Sequence, residues 1–251
     1  MRNYLTAECY KLFRRKYFYL TLLGALALEG VMLWGCWFTW SQGNSRMDFY
    51  SAATTIVMLM SIGLYATILS GDIVFSEQYK HNTMKNEVAY GIPRTRIYLG
   101  KLLVSTLAAL IAAVVMVGAY LGGCWLLLPH NEADQAALAV IGYTLAGALP
   151  LWLAAQGVVL ACYFLVRNAT LAAFAAVALL GAVPSVFQLC GMLIHPVFEV
   201  IRQFMPAVML ERLPNMAFQW DYVGLCWIVG LCVLAGATVV GVLAFRKKEI
   251  R

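Results

Sequence analysis

Charge is what this sequence has least of. Of its 251 residues only 12% are Asp, Glu, Lys or Arg, while 63% are hydrophobic. Soluble domains carry about 25% charged residues, so these side chains are too few to cover a globular surface. The mean hydropathy of +0.78 points the same way. Disorder, a collagen-like fibre and a secreted disulfide scaffold are excluded together. Seven cysteines are present, but no two are spaced C-x-x-C, so a metal site is not expected and buried cysteine serves as a small hydrophobe. An outer-leaflet disulfide stays open for Cys36, Cys124, Cys190 or Cys226, with no pair singled out. H-E-x-x-H and G-x-S-x-G are both missing, so neither common hydrolase signature is present. Gly100-Lys101 invites comparison with a phosphate loop. However, Thr95 stands five residues before Gly100 where that loop needs glycine, and Leu102 replaces its Ser or Thr. No catalytic residue, metal ligand set or cofactor is therefore expected in this chain.

What is there is a series of apolar runs, several longer than the roughly 18 residues that mark a bilayer span. Six spans are predicted: Tyr17–Trp40, Tyr50–Ser70, Leu102–Leu128, Ala136–Val166, Ala169–Leu193 and Tyr222–Phe245. Pro150 and Pro184 fall inside the fourth and fifth and are the expected kink points. Arg167 and Asn168 leave only a very short turn between those two spans. Basic residues set the orientation. Fifteen of the eighteen Lys and Arg lie before the first span, between the second and third, at Arg167, or at the C-terminal end. Only Arg46, Arg202 and Arg212 lie in the alternate connections. This positive-inside bias places both termini in the cytoplasm of a multi-pass plasma-membrane protein. Trp34, Trp37, Trp40, Trp125 and Trp220 gather at the predicted outer boundary, where indole prefers to sit. The net charge of +6 thus reflects an anionic inner leaflet rather than nucleic acid. The first apolar run is too long for a signal-peptide core and lacks a small-residue cleavage site, so it is read as retained.

Outside the spans, residues 1–16 read as an amphipathic interface helix. Leu5, Cys9, Leu12 and Phe13 form its apolar stripe, with Thr6, Lys11, Arg14 and Arg15 around the rest. A second polar segment, 76–101, is long for a membrane turn. Glu77 to Tyr90 contains neither Gly nor Pro and is closed by Gly91-Ile92-Pro93, so it is expected to be helical. On a wheel Glu77, His81, Met84 and Val88 share one face, opposite Tyr79, Thr83, Asn86 and Tyr90. Such a helix can pack on its own bundle and still present a surface to another protein.

The run Glu77 … Asn82-Thr83-Met84-Lys85-Asn86 … Gly91-Ile92-Pro93-Arg94-Thr95-Arg96 … Gly100-Lys101 resembles the cytoplasmic loop of ATP-binding cassette type-2 permeases. The closing Phe245-Arg246-Lys247-Lys248-Glu249-Ile250 is similar to that family's usual ending. Asn82 departs from the pattern, which commonly has Gly there. The likeness covers essentially the whole chain and is nearest to the small permeases of lantibiotic-immunity and bacitracin-type export systems. It implies an all-α half-transporter: six membrane helices, the N-terminal interface helix and a cytoplasmic coupling helix. It further implies a second permease chain, identical or related, and two separate ATPase subunits that bind ATP and Mg. Glu77, His81, Thr83, Met84, Lys85, Arg94 and Lys101 are the residues of this loop expected to serve ATPase coupling.

Three features complete the reading. Glu29 lies near the middle of the first span, where an ionised group facing lipid costs roughly 3 kcal/mol or more. It is expected on the substrate path or the dimer interface; a neutral acid bonded to a neighbouring span is the alternative. Segment 195–221 is apolar but cut by Pro196, Pro206 and Pro214 into pieces too short to span, so it is expected to lie on or dip into the outer leaflet. His130-Asn131-Glu132-Ala133-Asp134 reads as a solvated turn, and Gly118-x-x-x-Gly122 as a tight helix contact. The leading expectation is a permease subunit of an ATP-driven exporter of antimicrobial peptides or other amphipathic compounds. A stand-alone secondary transporter or channel is the alternative; it predicts several intramembrane charges and internal repeats, and only Glu29 and Asp72 are near at hand.

Overall fold

The computed structural model is 88% helical. It describes residues 2–44, 46–81, 83–166, 168–216 and 218–247, with the backbone alone described at residues 2, 76–81 and 83, and no strand occurs among them. Six helices are long and apolar enough to cross a membrane, and the protein is a multi-pass membrane protein. The spanning helices are α2 (Lys16–Ser41), α3 (Phe49–His81, spanning to Phe75), α5 (Arg94–Leu127), α6 (Asp134–Leu165), the α7–α8 pair and α11 (Trp220–Lys247). Preceding them is α1 (Arg2–Arg14), and α4 (Thr83–Ala89) separates α3 from α5. The fifth span is α7 (Ala169–Val177), a π-helical turn over Ala178–Ala182, and α8 (Val183–Leu193). Pro184 sits in the first turn of α8, so the wide turn just before it absorbs the hydrogen bond that proline cannot donate. Pro150, by contrast, is carried inside an unbroken α6.

α6 is the centre of the molecule. It is buried over most of its length and packs chiefly on α11 and α3. Small residues make this possible: a Cβ at Gly230 falls 2.5 Å from the Pro150 carbonyl oxygen, and one at Gly157 falls 2.8 Å from the Leu234 side chain. Side chains then fasten backbone to backbone across the spans. Trp152 Nε1 donates to Met60 O (3.1 Å), Tyr120 Oη to Ala52 O (2.9 Å) and Trp227 Nε1 to Ala146 O (3.1 Å). Ser70 Oγ donates to Gln156 Oε1 at 2.7 Å inside the core. α2 lies at the other extreme: it has no buried stretch and touches mainly α5.

The glycine pair at 118 and 122 does not make the tight contact expected of it. Among the described residues nothing outside the helix's own neighbouring turns lies within 4 Å of a Cβ at either position; the close approach is at Gly123, which meets the Leu33 side chain of α2. Helical geometry explains the shift, because one residue rotates the contact face by about 100°.

Proline opens or precedes each short piece of 195–221. α9 (Val197–Arg202) follows Pro196, α10 (Pro206–Arg212) begins on Pro206, and a 3-10 turn covers Leu213–Asn215 around Pro214. Val208, Met209, Leu210 and Leu213 are buried, and Leu213 presses against Gly147 of α6. Tyr143 Oη holds this segment by donating to Met216 O (2.8 Å).

The turn before α6 is braced as well as polar. His130 contacts Asp134 Oδ2 through Nδ1 (2.9 Å) and Trp125 O through Nε2 (3.0 Å), while Asn131 Nδ2 donates to Asp48 Oδ2 (2.5 Å). Asp134 is buried, so of the residues expected to be solvated here His130, Asn131 and Glu132 are exposed and Asp134 is not. No group of three possible metal ligands occurs among the described residues, and all seven cysteines are free thiols.

Candidate functional site at the basic end

The helix expected over Glu77–Tyr90 is divided. α3 runs straight on from the second span to His81, and α4 begins at Thr83; Asn82 lies outside the described residues. Glu77 and His81 therefore ride on the end of α3, and Thr83 opens α4; the side chains of these three also lie outside the described residues. Gly91, at φ +76°, supplies the left-handed residue that stops the segment, and Pro93 precedes α5.

α4 has two faces. Met84 and Val88 pack against the main core, and Glu87 is buried between them on the same side. Lys85, Asn86 and Ala89 point away, and the following Tyr90 is 86% exposed. A seven-residue helix is far below the length that is stable alone, so these inward contacts are what fix its position.

Glu87 enters a buried charge cluster built from three separate elements. Lys101, on the first turns of α5, is 0% exposed and places Nζ 3.2 Å from Glu8 Oε2 and 3.4 Å from Glu87 Oε1. Lys11 Nζ, from the rim, lies 2.5 Å from Glu8 Oε1 and 3.5 Å from Glu87 Oε1. Tyr4 Oη donates to Glu87 Oε2 at 3.0 Å. The Tyr4 ring lies directly on Gly100, where any Cβ would collide with it. Two carboxylates thus face two ammonium groups. Burial pushes the Glu8 carboxyl up, but the Lys101 charge and the Lys11 hydrogen bond outweigh it and hold that carboxyl below its ordinary range. Burial likewise opposes the charge on Lys11, and Glu8 and Glu87 outweigh it, raising that ammonium. The Tyr4 hydroxyl is pushed up, first by burial and then by the Glu8 and Glu87 charges, which keeps it a donor.

α1 is accordingly not the simple amphipathic helix its apolar spacing suggests. Its inward face carries Leu5, Glu8, Cys9 and Leu12; Phe13, expected on that face, is 44% exposed. Arg15 follows as a break and donates from Nη1 to Ile73 O of α3. Arg94 closes the other side: its Nη1 donates to Phe245 O (2.9 Å) and Arg246 O (2.7 Å), capping the last carbonyls of α11. Arg246 Nη2 returns a bond to Thr95 Oγ1 (3.0 Å).

Of the described residues expected to serve coupling, Lys85 is open to a partner and Met84 is turned inward. Arg94 joins α5 to α11, and Lys101 is wholly enclosed. A fully enclosed ammonium touches nothing beyond its own chain, so Lys101 acts on α4 only through Glu87. Tyr4, Glu8 and Glu87 are the members that sequence reasoning does not single out. A signal was available at Gly100-Lys101, which is a seat for a ring and a charge rather than a phosphate loop. Glu29 lies apart from this cluster, on α2, half-buried and with Oε2 enclosed without a hydrogen-bond partner among the described residues.

Residues 4–179 match the family model described as ABC-2 family transporter protein. That is more than half of the chain, and the protein belongs to the ABC-2 transporter family. It is thereby a membrane-spanning transport subunit, of a family that works with an ATP-binding cassette ATPase. No curated protein matches the sequence.

Proposed function

We propose that this chain is the permease subunit of an ATP-driven exporter, and that α4 is the element its ATPase grips. The carrying observation is the division of α4: Met84, Glu87 and Val88 are locked to the bundle while Lys85, Asn86, Ala89 and Tyr90 stand open. A force applied to the open face reaches α1 and α5 through the locked one. Differential contact with two ATPase states is the physical requirement for such coupling. In this reading the basic end is cytoplasmic, the membrane is the plasma membrane, and two ATPase subunits supply ATP and Mg.

A second permease chain, identical or related, completes the pathway. Support comes from the sparse packing of α2 and the open glycines 24, 30 and 35 on it, together with Gly118 and Gly122 on α5. Glu29 belongs on the substrate path or the seam between the two chains. The cargo is an antimicrobial peptide or another amphipathic compound, as the likeness to lantibiotic-immunity and bacitracin-type permeases suggests. The test is co-purification in mild detergent with the ATPase encoded beside this chain, repeated for Lys85→Glu and Tyr90→Ala. Loss of ATPase association, or of its response to the permease, with the spans intact supports the reading. Full transport by the purified chain with no ATPase present refutes it.

A further inference from the structure

We infer that Glu8 of α1 is a positioning residue for coupling: through Lys101 and Glu87 it sets where α4 stands, so the N-terminal helix is a second limb of the transmission. The inference rests on the coupling reading above and adds a residue that nothing else assigns. Its basis is the way the charges are shared. Lys101 is the one cation in the cluster with no exposed surface, and it divides its ammonium between a carboxylate on α1 and one on α4. Remove the α1 carboxylate, and Lys101 is left with Glu87 alone, while Lys11, 49% exposed, loses its 2.5 Å pairing with Glu8 and keeps only its 3.5 Å approach to Glu87. The register of Glu87, and with it the open face of α4, then rests on Lys101, the longer Lys11 contact, Met84, Val88 and the Tyr4 hydroxyl, without the α1 carboxylate that fixes where Lys101 stands.

Stability alone does not account for this arrangement. Enclosed ion clusters are commonly no more stabilising than apolar groups of the same volume, whereas in some systems they select one geometry among several. α1 is also well placed to transmit. Leu12 is buried with Phe18, Ile73, Val104 and Ala108, so displacement of α1 is felt by α2, α3 and α5 together.

The experiment uses the full chain with its ATPase in vesicles whose basic end faces outward, and reads two quantities. One is trypsin cleavage after Lys85, which reports release of α4; the other is the ATPase response to the permease. For Glu8→Gln, cleavage accelerates about tenfold or more, as local opening predicts, and the ATPase response is lost while co-purification persists. Glu8→Asp restores most of both. The double variant Glu8→Gln/Lys101→Met separates positioning from folding. Its thermal midpoint returns toward wild type, yet Lys85 stays readily cleaved and the response stays lost. Wild-type cleavage and response in Glu8→Gln, or recovery of both in the double variant, overturns the inference. Lys85→Glu and Tyr90→Ala serve as the control on the underlying reading. If they uncouple the ATPase and Glu8→Gln does not, only the role of Glu8 fails; if they too have no effect, the coupling reading itself fails.

Discussion

The α6–α11 seam and the α1–α4–α5 junction solve the same problem, holding helices together, by opposite means. The seam is apolar, glycine-lined and continuous along the length of the bundle. The junction is a knot of four charges and one hydroxyl, drawn from segments up to 93 residues apart. Close packing depends steeply on shape and tolerates one arrangement, so the seam is rigid. A charge cluster carries a large desolvation cost against a large attraction, and small displacements shift the balance. The seam therefore suits a scaffold, and the junction suits a part that must move between defined positions.

The sharpest way to break this contrast is Lys101→Met. It leaves two enclosed carboxylates, Glu8 and Glu87, to share the single ammonium of Lys11, and should cost about 3–5 kcal/mol, read as a fall in the thermal or detergent-unfolding midpoint. Adding Glu8→Gln should recover most of that loss, because the remaining Lys11 and Glu87 still pair. The seam offers no such second-site repair. Gly230→Val drives a side chain into the Pro150 carbonyl, a backbone group that has nowhere to go, and should cost about 1–3 kcal/mol or more. Recovery by any single surface charge change would show that the seam is less rigid than its packing implies.

Acid gives a milder test. The Glu8 carboxyl is depressed in the folded protein, so its contribution is present above the ordinary carboxylate value and is lost as pH falls through its folded value. Between pH 7 and pH 3 the wild-type midpoint should therefore fall more than that of Glu8→Gln, and the gap between them should narrow. A gap that stays constant would mean that Glu8 carries no linkage to proton binding. Gly230→Val, lacking any titratable change, should track the wild-type slope.

The contrast also explains what could be read from the chain. All six spans were legible, with ends moved by a few residues, because a run of apolar side chains long enough for the bilayer has few other uses. The largest shifts are at the basic end: the third span is expected from Leu102 and α5 already begins at Arg94, and the second is expected to end at Ser70 while α3 spans to Phe75 and continues as helix to His81, since nothing from Gly71 to His81 breaks a helix. The seam is not legible in the sequence: the small-residue spacing that stands out, Gly118-x-x-x-Gly122, falls on α5 instead, where spacing shows a face but not its neighbour. The junction was hardly legible at all. Glu8 interrupts an apolar stripe, Glu87 sits among polar residues and Tyr4 resembles any interfacial aromatic; only folding brings them to Lys101. Pairing across 83 to 93 residues leaves no periodic trace.

The smallest expected effect concerns the open face of α5. Gly123→Leu and Gly118→Leu add the same side chain five residues apart, yet only the first meets a neighbour within the chain, the Leu33 side chain. Gly123→Leu should lower the unfolding midpoint by separating α2 from α5, by about 1–3 kcal/mol. Gly118→Leu should change the stability of the isolated chain by no more than about 0.5 kcal/mol, since no described residue of another helix lies within 4 Å of its Cβ position. If a second permease chain seats on that face, the same Gly118→Leu variant should shift the chain from paired to single species in cross-linking or single-molecule photobleaching, because close approach of two helix backbones needs the missing side chain. An unchanged paired fraction would place the seam between permeases elsewhere and leave Gly118 and Gly122 facing lipid.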